Sequence, residues 1–244
     1  MKLPDIFKKN RKKAKPHCSA VILAAGSSTR MGGDKLMMNL GETPVLARTL
    51  KAFERSPLVD EIVVVTKMDQ LQETADLCKK FGIEKVKRVI AGGSTRTESA
   101  LCGVSEVSKS ARLIAIHDGA RPLVTEELIL RTVYAADEYM AAAPAVHSVD
   151  TLKAVDAEGK IVGTVDRETT VRIQTPQVFR AELIKGALTK AVEKNLTLTD
   201  DCAAAEMMGV RAMTVLGDEN NLKITTPRDM LFAAEILKER GEYL

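Results

Sequence analysis

A chain of 244 residues that is 45% hydrophobic is long enough to bury a large core, and a single α/β domain of this size is ordinary. Tryptophan is absent and aromatic residues make up only 3%, which argues against stacking platforms for single-stranded nucleic acid. The net charge of +3 is concentrated at the start, where Lys2, Lys8, Lys9, Arg11, Lys12, Lys13 and Lys15 outweigh Asp5 and leave the remainder slightly acidic.

Residues 1–17 read as a basic, solvated extension, or as a loose attachment to anionic surfaces, ahead of one catalytic domain over residues 18–244. The extension lacks the apolar core and small-residue cleavage pattern of a secretory signal. No run of about 18 apolar residues is present to span a membrane, so no membrane partner is expected. Cys18, Cys78, Cys102 and Cys202 lie far apart without a C-x-x-C pair, and His17, His117 and His147 are unclustered. That pattern fits a reducing cytoplasm and predicts neither a structural metal nor a disulfide framework.

In chain order, strand-like apolar runs fall at residues 20–23, 62–66, 86–90, 113–117, 142–146 and 212–216. Helical patterns lie between most of them, over residues 44–55, 69–80, 97–107, 125–139 and 181–194, with a last helix opening at Thr226-Pro227. Alternation of this kind predicts a Rossmann-like, doubly wound, mostly parallel α/β sheet, whose ligands sit beyond the carboxyl ends of the strands. Residues 148–175 break the rhythm with alternating Val, Thr, Ile and charged residues. They read as an inserted β-hairpin arm turning near Glu158-Gly159, which caps the site, reaches a partner subunit or is a plain surface excursion.

The first strand runs into Ala24-Ala25-Gly26-Ser27-Ser28-Thr29-Arg30-Met31-Gly32-Gly33-Asp34-Lys35. Small residues let a backbone approach a phosphate or base, while Arg30 and Lys35 bring full positive charge. The stretch is neither the G-x-G-x-x-G of dinucleotide folds nor a P-loop, so hydride transfer and ordinary ATP hydrolysis lose ground to nucleotidyl transfer. A second glycine turn, Ala91 to Ser99, ends a strand and opens a helix. It offers unpaired amides to a ligand, and a helix cap by Ser94 or Thr95 can hold at the same time. Asp118 closes another strand, where a carboxylate can ligate Mg²⁺, and Arg121 is placed to grip a phosphate through two nitrogens. Lys223 follows the last strand-like run.

These pieces occur in the order A-A-G-S-S-T-R-M, A-G-G-S-T-R-T-E-S, H-D-G-A-R-P, V-D-T-L-K, T-V-D-R, Q-T-P-Q, L-T-D-D and N-L-K-I-T. From about Ser19 to the end, the chain resembles the 2-C-methyl-D-erythritol 4-phosphate cytidylyltransferases of the non-mevalonate isoprenoid pathway. The first loop is also similar to that of the guanylyltransferases that modify molybdopterin; the later motifs select the cytidylyltransferase branch. Cytidylyltransferases for ribitol 5-phosphate look similar in their nucleotide loops and are the alternative within the class. A non-catalytic nucleotide-binding protein is the alternative outside it.

The resemblance implies that Ala24, Ala25, Gly26, Gly93, Ser94 and Ser99 hold the cytidine, largely through backbone groups. It gives the triphosphate to Arg30, Lys35 and Lys223, and Mg²⁺ to Asp118. The sugar-phosphate site takes Arg121, Thr175, Thr199 and Arg167, with Thr151 supplied by the other subunit of a homodimer. Two positions depart from the family pattern. Asp34-Lys35-Leu36 replaces a longer loop ending in Pro-Lys-Gln, and Ser94 stands where Asp is common.

Overall fold

The structure, a computed structural model, describes residues 15–26 and 34–243. In order these form β1 (Cys18–Leu23), the minimal pair β2 (Asn39–Leu40) and β3 (Thr43–Pro44), α1 (Val45–Arg55), β4 (Val59–Thr66) and α2 (Leu71–Lys80), the last entered through a 3-10 turn. Then come β5 (Val86–Ala91), α3 (Arg96–Ser105), β6 (Leu113–Asp118), α4 (Glu126–Tyr139), β7 (Ala141–His147), β8 (Lys153–Val155) and β9 (Ile161–Thr164). The chain closes with β10 (Val171–Ile173), β11 (Gln177–Arg180), α5 (Ala181–Glu193), α6 (Asp201–Met207), β12 (Met213–Leu216) and α7 (Pro227–Glu239).

The main sheet runs β5-β4-β1-β6-β11-β7, with β12 on the outer side of β7 and β10 continuing the line of β11 along its inner side. Apart from β10 and β11, every strand points the same way. The central strands are apolar throughout because both faces are covered. Cys18, Ala20 and Ile22 of β1, with Ile62 and Val64 of β4, pack under α1, α2, α4 and α7. Val21 of β1, with Val63 and Val65 of β4, packs under α3, α5 and α6. Strand alternation thus feeds two cores, each buried large aliphatic side chain contributing about 1.5–3 kcal/mol against exposure.

Local chemistry explains the helix starts. Thr95, Thr125 and Thr226 each accept a backbone N–H from the third helical residue, and α3 and α7 complete capping boxes with Glu98 and Asp229. The six expected strand runs are the six parallel strands. The minimal pair β2 and β3 was not legible, nor were β11, with only four residues, and α6, with only seven and opened by Asp200 as its cap.

Two expected boundaries are corrected. Lys15 pairs with Asp60 at 2.5 Å, Pro16 is buried, and the His17 carbonyl accepts from the Arg112 and Leu113 amides, so residues 15–17 dock on the domain rather than extend from it. The arm proper is shorter than residues 148–175. β8 pairs with β9, and Asp156 Oδ1 accepts from the Glu158 and Lys160 amides in a turn closed by Gly159 at φ +82°, whereas Val171–Ile173 has already rejoined the main sheet beside β7.

Candidate active site

Chain order reverses at β1: β4 and β5 lie on one side of it and β6 on the other. A crevice opens beyond the carboxyl ends at such a switch point. Register brings the ends level, with Leu23 opposite Asp118 and Thr66 opposite Ala91. Backbone bonds then tie the loops together: Ala24 donates to Val65, Gly92 to Thr66, and Gly119 to Leu23. Gly92 has no room for a side chain, since a Cβ there would lie 2.6 Å from Ser99 Oγ and 2.9 Å from the Ala25 Cβ.

The resulting cleft, of about 420 Å³, is lined by Ala25, Gly26, Lys35, Gly93, Ser94, Ser99, Asp118 and Lys223 among others. Eight of the expected residues therefore share one cavity. Arg30 lies outside the described residues. Ala24 is buried just behind the wall. Thr199, Thr151 and Arg167 are exposed and do not line the cleft; Thr151 and Arg167 sit on the arm, where Arg167 approaches Glu168 at 3.8 Å.

Asp118 is the electrostatic centre. Lys223 Nζ lies 2.9 Å and Arg121 Nε 3.7 Å from its Oδ2, while Arg96 Nη2 lies 3.8 Å from its Oδ1. Burial alone would raise this carboxyl, but Lys223, Arg96 and Arg121 outweigh it and hold the pKa at about 2, so the group is an anion at neutral pH. Lys223 is 42% exposed, and its loop is stitched to the loop after β6. Ile224 N–H donates to the Ala120 carbonyl, Arg121 Nη1 donates to the Asn221 carbonyl at 2.6 Å, and Asn221 Nδ2 donates to the Thr175 carbonyl.

Beneath Asp118 a polar chain is fully determined. His117 Nε2 can only donate to the Arg121 carbonyl at 3.2 Å, so Nδ1 is the acceptor for the Thr175 hydroxyl at 3.0 Å, which in turn accepts the Asp118 N–H at 3.2 Å. Burial lowers the His117 pKa to about 3, keeping the ring neutral. Thr175 is only 4% exposed. Its hydroxyl, expected at the sugar phosphate, here bridges His117 Nδ1 and the Asp118 amide.

The second glycine turn carries the cap. The amides of Ser94 and Thr95 both donate to Glu98 Oε2, and Thr95 Oγ1 accepts from Glu98, so the amides at 94 and 95 are already partnered. Ser99 donates its hydroxyl to the Thr95 carbonyl. Residues without an expected role also enter: Thr95, Arg96, Ala120 and Thr225 line the cleft, and Arg96 is bound by Asp201. The one hint in the sequence was that Arg96 and Asp201 both fall inside motifs of the resemblance.

Among the described residues no three His, Cys, Asp or Glu side chains gather as a metal site. Asp118 nonetheless lines the cleft as an ionised carboxylate, which suits a Mg²⁺ ion that takes most of its ligands from phosphates and water.

The family model for 2-C-methyl-D-erythritol 4-phosphate cytidylyltransferase matches residues 18–239. The enzyme of that name from Caldanaerobacter subterraneus subsp. tengcongensis is 42% identical over 91% of this chain and 99% of its own length. Its counterpart from Geobacter metallireducens is 42% identical over 91% and 97%. Among solved structures, 4-diphosphocytidyl-2C-methyl-D-erythritol synthase from Anaerococcus prevotii superimposes with a TM-score of 0.82 at 31% identity, over 92% of this chain and 97% of that one. The cytidylyltransferase from Thermus thermophilus gives 0.73 at 30%, over 91% and 99%. With a matching family model over nearly the whole described domain and a cleft that unites eight of the expected residues, the chain belongs to the 2-C-methyl-D-erythritol 4-phosphate cytidylyltransferase family.

Proposed function

We propose that this chain transfers the cytidylyl group of CTP to 2-C-methyl-D-erythritol 4-phosphate, giving 4-diphosphocytidyl-2-C-methyl-D-erythritol and pyrophosphate. The observation that carries the reading is the meeting of Lys35, Asp118 and Lys223, from three distant loops, in one cleft walled by Ala25, Gly26, Gly93 and Ser99. Small residues admit the nucleoside, and the cations face its phosphates.

An oxygen of the acceptor's 4-phosphate attacks the α-phosphorus in line. The new P–O bond forms as the bond to the β-phosphate oxygen breaks, and its electron pair departs with pyrophosphate. The attacking phosphate is already ionised, so no general base is required, and the only histidine at the site, His117, is sealed beneath Asp118. Catalysis then rests on position and charge: Lys35, Lys223 and Arg30 meet the negative charge of the triphosphate and the leaving group. Asp118 would hold Mg²⁺, which when bound neutralises phosphate oxygens. Arg121 serves the acceptor phosphate, its guanidinium held beside Asp118 with Nε 3.7 Å from Oδ2. Thr199, Arg167 and Thr151 complete that subsite, the last two across a homodimer formed through the arm.

The test is pyrophosphate release from CTP with methylerythritol phosphate against ribitol 5-phosphate, for the parent protein and for Lys223→Ala. Turnover with methylerythritol phosphate is expected to exceed that with ribitol 5-phosphate. Lys223→Ala should lose roughly 10²- to 10³-fold in kcat, about 3–4 kcal/mol, while melting like the parent. Preference for ribitol 5-phosphate, or a fully active Lys223→Ala, would refute the assignment.

A further inference from the structure

Arg96 opens α3 and Asp201 opens α6, 105 residues later. Asp201 is 1% exposed and holds the Arg96 guanidinium at both ends, Nη1 to Oδ1 at 2.9 Å and Nη2 to Oδ2 at 2.7 Å. Asp201 is itself clamped. Gln177 Oε1 accepts the Asp201 and Cys202 amides at 2.9 and 3.0 Å, while Gln177 Nε2 donates to Asp200 at 2.9 Å. The same Arg96 Nη2 stands only 3.8 Å from Asp118 Oδ1.

Two carboxylates therefore compete for one guanidinium, and the buried one has it. A buried ion pair is weak evidence for stability, because desolvation offsets most of the attraction. Its effect on the neighbouring carboxylate is more direct. Released from Asp201, Arg96 would be drawn onto Asp118 as a forked pair. That would cover Oδ1, the oxygen that Lys223 and Arg121 leave open by approaching Oδ2.

We infer that Asp201 is a positioning residue that withholds Arg96 from Asp118, so that Asp118 sits among cations yet keeps one carboxylate oxygen open to the cleft. The catalytic consequence rests on the cytidylyl-transfer reading above; the geometric one does not. The guanidinium stays within a few ångströms as fixed positive charge, and Asp118 remains available to whatever the triphosphate brings.

The experiment is a crystal structure of ligand-free Asp201→Asn protein, with steady-state kinetics on the same preparation. An Asn keeps the size of the side chain but not the charge that outbids Asp118. Arg96 is expected to close on Asp118 Oδ1 to hydrogen-bonding distance, and an Arg96 still standing 3.8 Å away would overturn the inference. In kinetics, kcat should fall roughly 10- to 100-fold with the KM for CTP changed less than about threefold, as for a misplaced reacting group. A parent-like kcat with Arg96 closed would also overturn it. A parent protein without turnover would sink the proposed function and leave the Arg96 distance to decide this inference. Should Asp201→Asn fail to fold, Arg96→Lys replaces it. An ammonium cannot match the two parallel bonds that the guanidinium makes to Asp201, so a tenfold loss in kcat is expected and parent-like kcat would count against the device.

Discussion

His117 is completely buried between the Thr175 hydroxyl and the Arg121 carbonyl, with its ring 4.9 Å from that of Phe53. Burial brings its pKa from 6.5 to about 3. Between those values the unfolded chain binds a proton that the folded chain refuses. The stabilising effect of a neutral His117 is therefore complete above pH 6.5 and is lost as pH falls toward 3, at about 1.4 kcal/mol per pH unit. Asp118 works in the same direction lower down: its ionised form stabilises the fold above about pH 3.8, and that contribution is lost as pH falls through about 2. Urea unfolding measured between pH 6 and 4.5 should show His117→Gln less stable than the parent but with a pH slope shallower by about one proton. Equal slopes would mean that the imidazole does not control acid stability.

Elements place these residues, and they do so through close packing. α3 carries Arg96, Ser99 and the capping box, and it lies on β1 and β4 at Gly103. A Cβ at that glycine would stand 2.3 Å from Val21 Cγ1 and 2.8 Å from Val65 Cγ2. Both valines are wholly buried and belong to the strands whose ends form the cleft. Gly103→Ala has to push the helix off the sheet, and overpacking of this kind costs about 1–3 kcal/mol despite the better helix propensity of alanine. The measurement is the urea midpoint. A stability equal to the parent's or higher would show that α3 has slack at this contact, and with it that Arg96 is less rigidly delivered than the geometry implies.

The whole molecule presents one feature that a self-contained domain does not explain. Val149, Val155, Ile161 and Val162 of the arm region are 83, 57, 66 and 65% exposed, four apolar side chains left open within one short segment. We propose that this surface is covered by a second copy in a homodimer, bringing Thr151 and Arg167 to the partner's acceptor subsite. Replacing Ile161 and Val162 together by Asp should yield a monomer in sedimentation equilibrium. The KM for methylerythritol phosphate should then rise at least tenfold while the KM for CTP stays within about threefold. A dimeric or fully active double variant would separate the arm from both roles.

What could be read from residues alone followed from local rules. Period and length marked the parallel strands; Thr, Asp and Pro marked helix starts; Gly159 marked the turn of the arm. The motif residues Ala25, Gly26, Lys35, Gly93, Ser99, Asp118 and Lys223 were legible because their order along the chain matched a known family, and the cleft unites them. Other outcomes depended on partners remote in sequence. Thr175 turned inward because His117, 58 residues away, determines where its hydroxyl proton goes. Arg96 found its partner in Asp201, a pairing invisible until α3 and α6 pack on the same face. Periodicity and caps are set by neighbours within a few positions, so the sequence alone determined them. Which acceptor each buried polar group finds is set by the register of strands and the packing of helices, and only the tertiary structure could decide that.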